Sequence, residues 1–185
     1  LANFAERRDR IREQVLACAK ALGGNAVLDG ALLDEVTALV EWPVAIEGRF
    51  DERFLALPRE VLISTLQEHQ RYFAVENANG ELTNHFITVS NIESRDPTRV
   101  RAGNERVVRP RLADAAFFHE QDRRHSLHAW RQGLGSVTFQ AKLGSIGDKV
   151  RRVASLAREI APLVSADAEL AARAADLSKC DLLSA

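Results

Sequence analysis

The tetrapeptide N-A-N-G at positions 77–80 is the feature that most constrains the fold. It separates R-Y-F-A-V-E (71–76) from L-T-N-H-F-I-T-V-S (82–90), two stretches rich in aromatic and β-branched residues. Asn and Gly tolerate positive φ, so the tetrapeptide predicts a tight turn and its flanks an antiparallel hairpin. After Pro97 the strand formers thin out, and alanine, leucine and arginine take over. The chain therefore reads as α+β, with a mixed α/β region over residues 1–97 and an all-helical region over 98–185.

The helices follow from apolar spacing. Phe4, Ile11, Val15, Leu16, Ala19 and Leu22 predict a helix over 3–22 that stops at Gly23-Gly24. Asp29 opens a second helix through Leu32, Leu33, Val36, Leu39 and Val40, which must end before Pro43. Residues 44–50 alternate as a strand does, and Pro58 suits the first turn of a helix over 58–69. Beyond Pro97, helices are expected near 98–122, 125–132, 145–163 and 167–183. Pro110, with no amide proton, should kink or interrupt the first, and Pro162 should end the third.

Composition excludes several classes. With 28% charged and 46% hydrophobic residues the chain can bury a core, and wholesale disorder is excluded. A net charge of −1 leaves no global attraction for polyanions, so any nucleic-acid contact must come from a local patch. No apolar run reaches the ~20 residues of a membrane span, and the first ten residues lack the apolar core of a signal peptide. Cys18 and Cys180 are the only cysteines, which fits a reduced, cytoplasmic protein. The sequence lacks methionine and begins and ends within helical patterns, so it reads as a piece of a longer protein.

Four groupings could carry chemistry. Arginines occupy positions 95, 99, 101, 106, 109 and 111, six in 17 residues, against only Asp96 and Glu105. Guanidinium groups bind phosphates through planar, often bidentate hydrogen bonds, so one such face could hold an RNA backbone. A solvated helix with internal ion pairs, or arginines clamping the two halves together, is the plainer account of the charge run taken alone. His119, His125 and His128 lie near Glu120 and Asp122. His119 and Asp122 are i, i+3 neighbours that could share a metal with Asp181, though surface histidines are the plainer account. His69 suits a helix C-terminus and has no recognisable catalytic partner. K-L-G-S-I-G-D-K (142–149) is not a phosphate-binding P-loop; Ser145 and Asp148 fit a capping box. Phe117 and Phe118, with Leu112, Ala115 and Ala116, are expected in the core, and Trp42 and Trp130 as packing anchors.

Six ordered segments carry a resemblance across nearly the whole chain: V-E-W-P-V (40–44), F-L-A-L-P-R-E-V-L (54–62), H-Q-R-Y-F (69–73), G-N-E-R-V (103–107), R-L-A-D-A-A-F-F (111–118) and K-L-G-S-I-G-D-K (142–149). Together they resemble the beta subunit of the bacterial two-subunit glycyl-tRNA synthetase. Leu66 stands where that pattern expects methionine, and Pro110 where it expects alanine.

The resemblance implies a middle portion of that subunit, an α+β region followed by the start of an HD-like helical domain. It implies a cytoplasmic heterotetramer whose alpha subunit activates glycine with ATP and Mg²⁺, and partners that are the alpha subunit and tRNA(Gly) rather than DNA or membrane. It points to Arg99, Arg101, Arg106, Arg109 and Arg111 as tRNA contacts. It implies no catalytic, cofactor-binding or metal-binding residue in this portion, since the adjacent His-Asp pair of HD phosphohydrolases is missing. The competing expectations are a metal-dependent HD-type phosphohydrolase using His119, Asp122 and Asp181, and an interaction module without RNA contact.

Overall fold

An antiparallel strand at the edge of a sheet presents unpaired amide and carbonyl groups, and the way this chain covers them organises its first unit. A computed structural model describes residues 1–184. They form two compact units, residues 1–117 and residues from 118 onward. The composition change at Pro97 thus marks the start of a helix, and the units divide twenty residues after it.

In the first unit, α1 (Phe4–Ala21) is capped by Asn3, whose side chain accepts from the amides of Ala5 and Glu6. It buries Ile11, Val15 and Ala19, one face at i, i+4, i+8. A two-residue strand, β1 (Asn25–Ala26), follows, then α2 (Gly30–Leu39), capped by Asp29. The chain continues through β2 (Val44–Arg49), α3 (Arg59–Gln67), β3 (Phe73–Glu76) and β4 (Leu82–Ser90). Pro58 precedes α3 as its cap residue.

The strands form an antiparallel sheet in the order β1-β3-β4-β2. The expected hairpin joins β3 to β4, with Asn77 Oδ1 accepting from the amides of Asn79 and Glu81 and Gly80 at φ +79°. The short β1, not expected from sequence, extends the sheet beyond β3.

Strand alternation sends side chains to both faces. Phe73, Val75 and Ile87 join Ile11, Val15, Leu33 and Val36 of α1 and α2 in one core. Ala74 and Phe86 face the other way, meeting Phe54, Leu62, Leu66, Val108 and Leu112. The sheet is therefore covered on both sides, by α1 and α2 on one and by α3 and α4 (Pro97–Asp122) on the other. Gly48 pairs with Phe86 across β2 and β4, and a Cβ there would run into the Phe86 ring. Its absence lets Phe86 lie over the β2 backbone and stack on Tyr72, with centroids 4.7 Å apart.

Of the kink or interruption expected at Pro110, the interruption does not occur: α4 runs through it as one helix. Pro110 is exposed, as is Arg106, whose carbonyl loses its i+4 partner. Solvent can satisfy that carbonyl, so the helix continues. Two packing expectations fail. Phe117 and Phe118 are 59% and 45% exposed, because at about 100° per residue Phe117 points away from the side that buries Leu112. Trp42 is also exposed, with the Arg10 guanidinium 4.8 Å from its ring centre.

The second unit is helical as expected, with α5 (Leu127–Gly133), α6 (Ile146–Ile160) and α7 (Ala168–Leu177). It also carries a two-stranded ribbon, β5 (Thr138–Gln140) and β6 (Gly144–Ser145). Gln140 Oε1 accepts from the amides of Lys142 and Leu143, and Gly144 turns at φ +88°. The Ser145–Asp148 capping box forms, with the Asp148 amide 3.1 Å from Ser145 Oγ and the Ser145 amide 2.8 Å from Asp148 Oδ2. Pro162 lies in a 3-10 turn that ends at Ser165, in the left-handed region. Leu134, Val150 and Cys180 are the buried core, with Trp130 packed against them as expected.

Candidate functional site

The arginines of α4 and its entry divide into groups with different work to do. Successive helical residues turn by about 100°, so Arg99, Arg106 and Arg109 share roughly 80° of arc, while Arg101 sits some 160° from Arg99. The buried residues Val108 and Leu112 lie on the Arg101 side. Arg101 is therefore directed at the sheet, where Nε donates to the Glu47 carbonyl at 3.1 Å and Nη2 meets the Glu47 carboxylate.

That contact belongs to a wider arrangement along β2. Gln14 Oε1 accepts from the Ala45 amide at 2.8 Å, and Gln14 Nε2 donates to the Pro43 carbonyl at 3.1 Å. Glu105 Oε1 accepts from the Arg49 amide at 3.0 Å. Positions 43, 45, 47 and 49 alternate, so these are the outward backbone groups of the edge strand. Side chains of α1 and α4 meet one such group at each of the four positions. Asn104 adds a link from α4, accepting from the Tyr72 hydroxyl at 2.6 Å and donating to the Val100 carbonyl at 2.8 Å. Burial raises the Tyr72 phenol above its usual value, so it remains the donor.

The outward arc is different. Arg99, Arg106 and Arg109 are exposed, and among the described residues neither Arg106 nor Arg109 has a carboxylate within ion-pair range. Arg99 pairs with Asp96 at 3.0 Å. The Thr98 hydroxyl first, then the Arg99 and Thr98 amides, hold the Asp96 carboxyl below the usual range, so it stays ionised at the start of α4. Arg111, also exposed, lies on the other flank, about 120° from Arg99. Of the five arginines expected to act together, three share a solvent face, one points away from it and one is held by the sheet.

Arg109 also lines a cleft of about 560 Å³ with Arg49, Asp51, Glu52, Asn84 and Glu105. Three carboxylates outnumber two guanidiniums there, so the cleft does not favour a phosphate.

The other candidates carry less. Among the described residues no group of three or more His, Cys, Asp or Glu side chains is placed to hold a metal ion. His119, Asp122 and Asp181 thus do not fit the metal of an HD phosphohydrolase. His69 is exposed just past α3, and no helix of the described residues is long and apolar enough to cross a membrane. The signal for β2 edge capping was absent from the sequence, because Gln14, Arg101 and Glu105 are separated by up to 91 positions (105 − 14).

Comparison with known proteins gives these surfaces a context. The model of the family described as glycyl-tRNA synthetase beta subunit matches residues 1–185. The chain is 55% identical over 183 residues to the glycine–tRNA ligase beta subunit of Chromohalobacter salexigens, covering 99% of this chain and 27% of that protein. Identity is likewise 55% to the beta subunits of Marinobacter nauticus and Azotobacter vinelandii, over 99% and 100% of this chain and 27% of each relative. The chain thus spans about a quarter of the length of the curated relatives it matches. A family match over every residue, with identity above half across that length, means that the chain belongs to the glycyl-tRNA synthetase beta-subunit family.

Proposed function

We propose that this chain forms part of a glycine–tRNA ligase beta subunit, where it supports assembly with the alpha subunit and contacts tRNA(Gly) through backbone phosphates. The observation that carries the reading is the family match over all 185 residues. The complete enzyme would esterify glycine to tRNA through glycyl-adenylate in the cytoplasm, as an alpha–beta heterotetramer. ATP and Mg²⁺ would be used by the alpha subunit, and this portion would supply no catalytic group. Its helical unit would begin an HD-like domain that lacks hydrolase chemistry.

The phosphate contacts assigned to this chain are Arg99, Arg106 and Arg109. Their common solvent face, and the lack of carboxylate partners for two of them among the described residues, favour a diffuse, sequence-independent grip. Arg101 drops out of that set because it lies off the shared arc, with Nε and Nη2 committed to Glu47. Arg111 lies off the shared arc and is at most a flanking contact.

The test is glycine attachment to tRNA by the complete beta subunit and its alpha partner, each omitted in turn. Charging should require both. In the complete enzyme, Ala at 99, 106 and 109 should lower the salt slope of tRNA binding by about 1 for each phosphate no longer held. A folded pair that fails to charge tRNA with glycine overturns the ligase reading; an unchanged salt slope removes these three arginines from the interface.

A further inference from the structure

The helical unit holds a second group of arginines, and here the fold gathers them. A cleft of about 510 Å³ between α6 and α7 is lined by Arg131, Arg151, Arg158 and Arg173, together with Glu169 and Asp176. The four arginines come from three helices: Arg131 from α5, Arg151 and Arg158 two turns apart on α6, and Arg173 from α7. The floor includes Ala154 and the buried Ala172, so no bulky side chain fills the space.

The two carboxylates are already committed. Asp176 receives Arg131 in a fork, with Nε donating at 2.9 Å to Oδ2 and Nη2 at 2.8 Å to Oδ1. Glu169 receives Arg158 in the same manner, Nε to Oε1 at 2.8 Å and Nη2 to Oε2 at 3.1 Å. Arg173 sits on the same helix as both, three residues before Asp176 and four after Glu169, the spacing at which helical ion pairs form. Both acids reach across to other helices instead. Among the described residues Arg173 has no carboxylate within ion-pair range. Arg151 pairs with Asp148, whose other oxygen is held by the Ser145 amide and hydroxyl.

This division of labour resembles a binding site more than a solvated charge run. Two forks fix the positions of two guanidiniums and of the helices that carry them, and two further arginines stand on the rim with spare donors. The cleft counts four guanidiniums against two carboxylates, both neutralised. No aromatic side chain lines it, so nothing there can stack a base, and it offers no set of metal ligands. An open, arginine-rimmed cleft without base-reading groups suits the phosphodiester backbone of a polynucleotide.

We infer that the α6–α7 cleft is an RNA phosphate-binding site, with Arg151 and Arg173 contacting the backbone and the Arg131–Asp176 and Arg158–Glu169 forks acting as its frame. The inference rests on the tRNA-handling reading above and adds a contact surface separate from the α4 face.

The test uses the complete alpha–beta enzyme and measures tRNA affinity by fluorescence anisotropy across a salt series. Arg151→Ala/Arg173→Ala should reduce the salt slope by about 1.8, at ~0.9 per phosphate, which at 0.1 M salt corresponds to roughly 60-fold weaker binding. Arg151→Lys/Arg173→Lys keeps both charges and should retain the slope. Circular dichroism and thermal melting establish that each variant is folded, and both leave the two forks in place. Wild-type enzyme that charges glycine, beside a folded Ala variant with unchanged affinity and slope, overturns the cleft and leaves the ligase reading standing. Loss of inorganic phosphate or ATP binding in the Ala variant, with tRNA affinity unchanged, overturns the assignment to RNA. Wild-type enzyme that neither charges glycine nor binds tRNA overturns the ligase reading, and the cleft with it.

Discussion

Replacing Arg101 with Ala separates a structural arginine from a phosphate-binding one. The substitution removes a hydrogen bond to the Glu47 carbonyl and an ion pair to the Glu47 carboxylate. The hydrogen bond contributes about 0.5–1.5 kcal/mol. The ion pair involves side chains 40% and 36% exposed, so solvent screening limits it to about 0–1 kcal/mol. Glu47 is half-buried rather than buried, so no full desolvation penalty is added. The sum is about 0.5–2.5 kcal/mol, which for a unit of this size lowers the melting temperature by roughly 2–10 °C. The assay is thermal unfolding of the variant beside Arg106→Ala/Arg109→Ala, with tRNA salt slopes measured on the complete enzyme for both. Arg101→Ala should melt earlier and keep its slope. Arg106→Ala/Arg109→Ala should melt normally, with its slope smaller by about 2. An Arg101→Ala protein of unchanged stability and reduced slope would falsify the edge-capping argument. A double-mutant cycle with Glu47→Gln then measures the ion pair directly.

Other parts of the fold are equally open to test. Gly48→Ala should cost about 1–3 kcal/mol in urea unfolding, since its methyl group must displace the Phe86 ring from its stack on Tyr72; a neutral result would show that the ring moves freely. Pro110→Ala should stabilise the protein by roughly 1–3 kcal/mol, restoring an amide to bond the Arg106 carbonyl and removing a ring clash on an exposed helix face. The Ser145 amide and then its hydroxyl hold the Asp148 carboxyl below the usual carboxylate range. Because the folded-state pKa is the lower one, the stabilisation is fully present above the unfolded value of about 3.9 and fades as pH falls through the folded value. Asp148→Asn should therefore flatten the acid limb of the helical unit's stability curve, followed by circular dichroism, and an unchanged limb would remove the capping box from the account.

Much of the fold is legible in the sequence because its signals are local. Asn77 and Gly80 close the β3–β4 turn with bonds to their own neighbours, and Asp29 and Ser145 cap helices within three residues of themselves. The apolar period of α1 buries Ile11, Val15 and Ala19 as its spacing demands. Even β5 has a sequence trace in V-T-F at 137–139, outweighed by the helical composition around it. Pro110 removes a hydrogen bond, as its chemistry requires, without breaking the helix. Whether a missing amide interrupts a helix depends on whether solvent can reach the freed carbonyl, and that is a question of burial.

What each arginine does was decided by tertiary structure alone. The sequence determined that α4 carries arginines every few residues, and that no one helix face could hold all of them, since they are not spaced by whole turns. It could not say which face would be covered. Packing Val108 and Leu112 against the sheet turned Arg101 and Glu105 onto the β2 edge and Arg99, Arg106 and Arg109 outward. The same choice left Phe117 exposed. In the helical unit, Arg131, Arg151, Arg158 and Arg173 span 42 positions (173 − 131) and meet only because α5, α6 and α7 fold together. Hydrogen-bonded turns and helical periods are short-range and survive in the sequence. The pairing of a charge with its partner is long-range, and it exists only once the chain has closed.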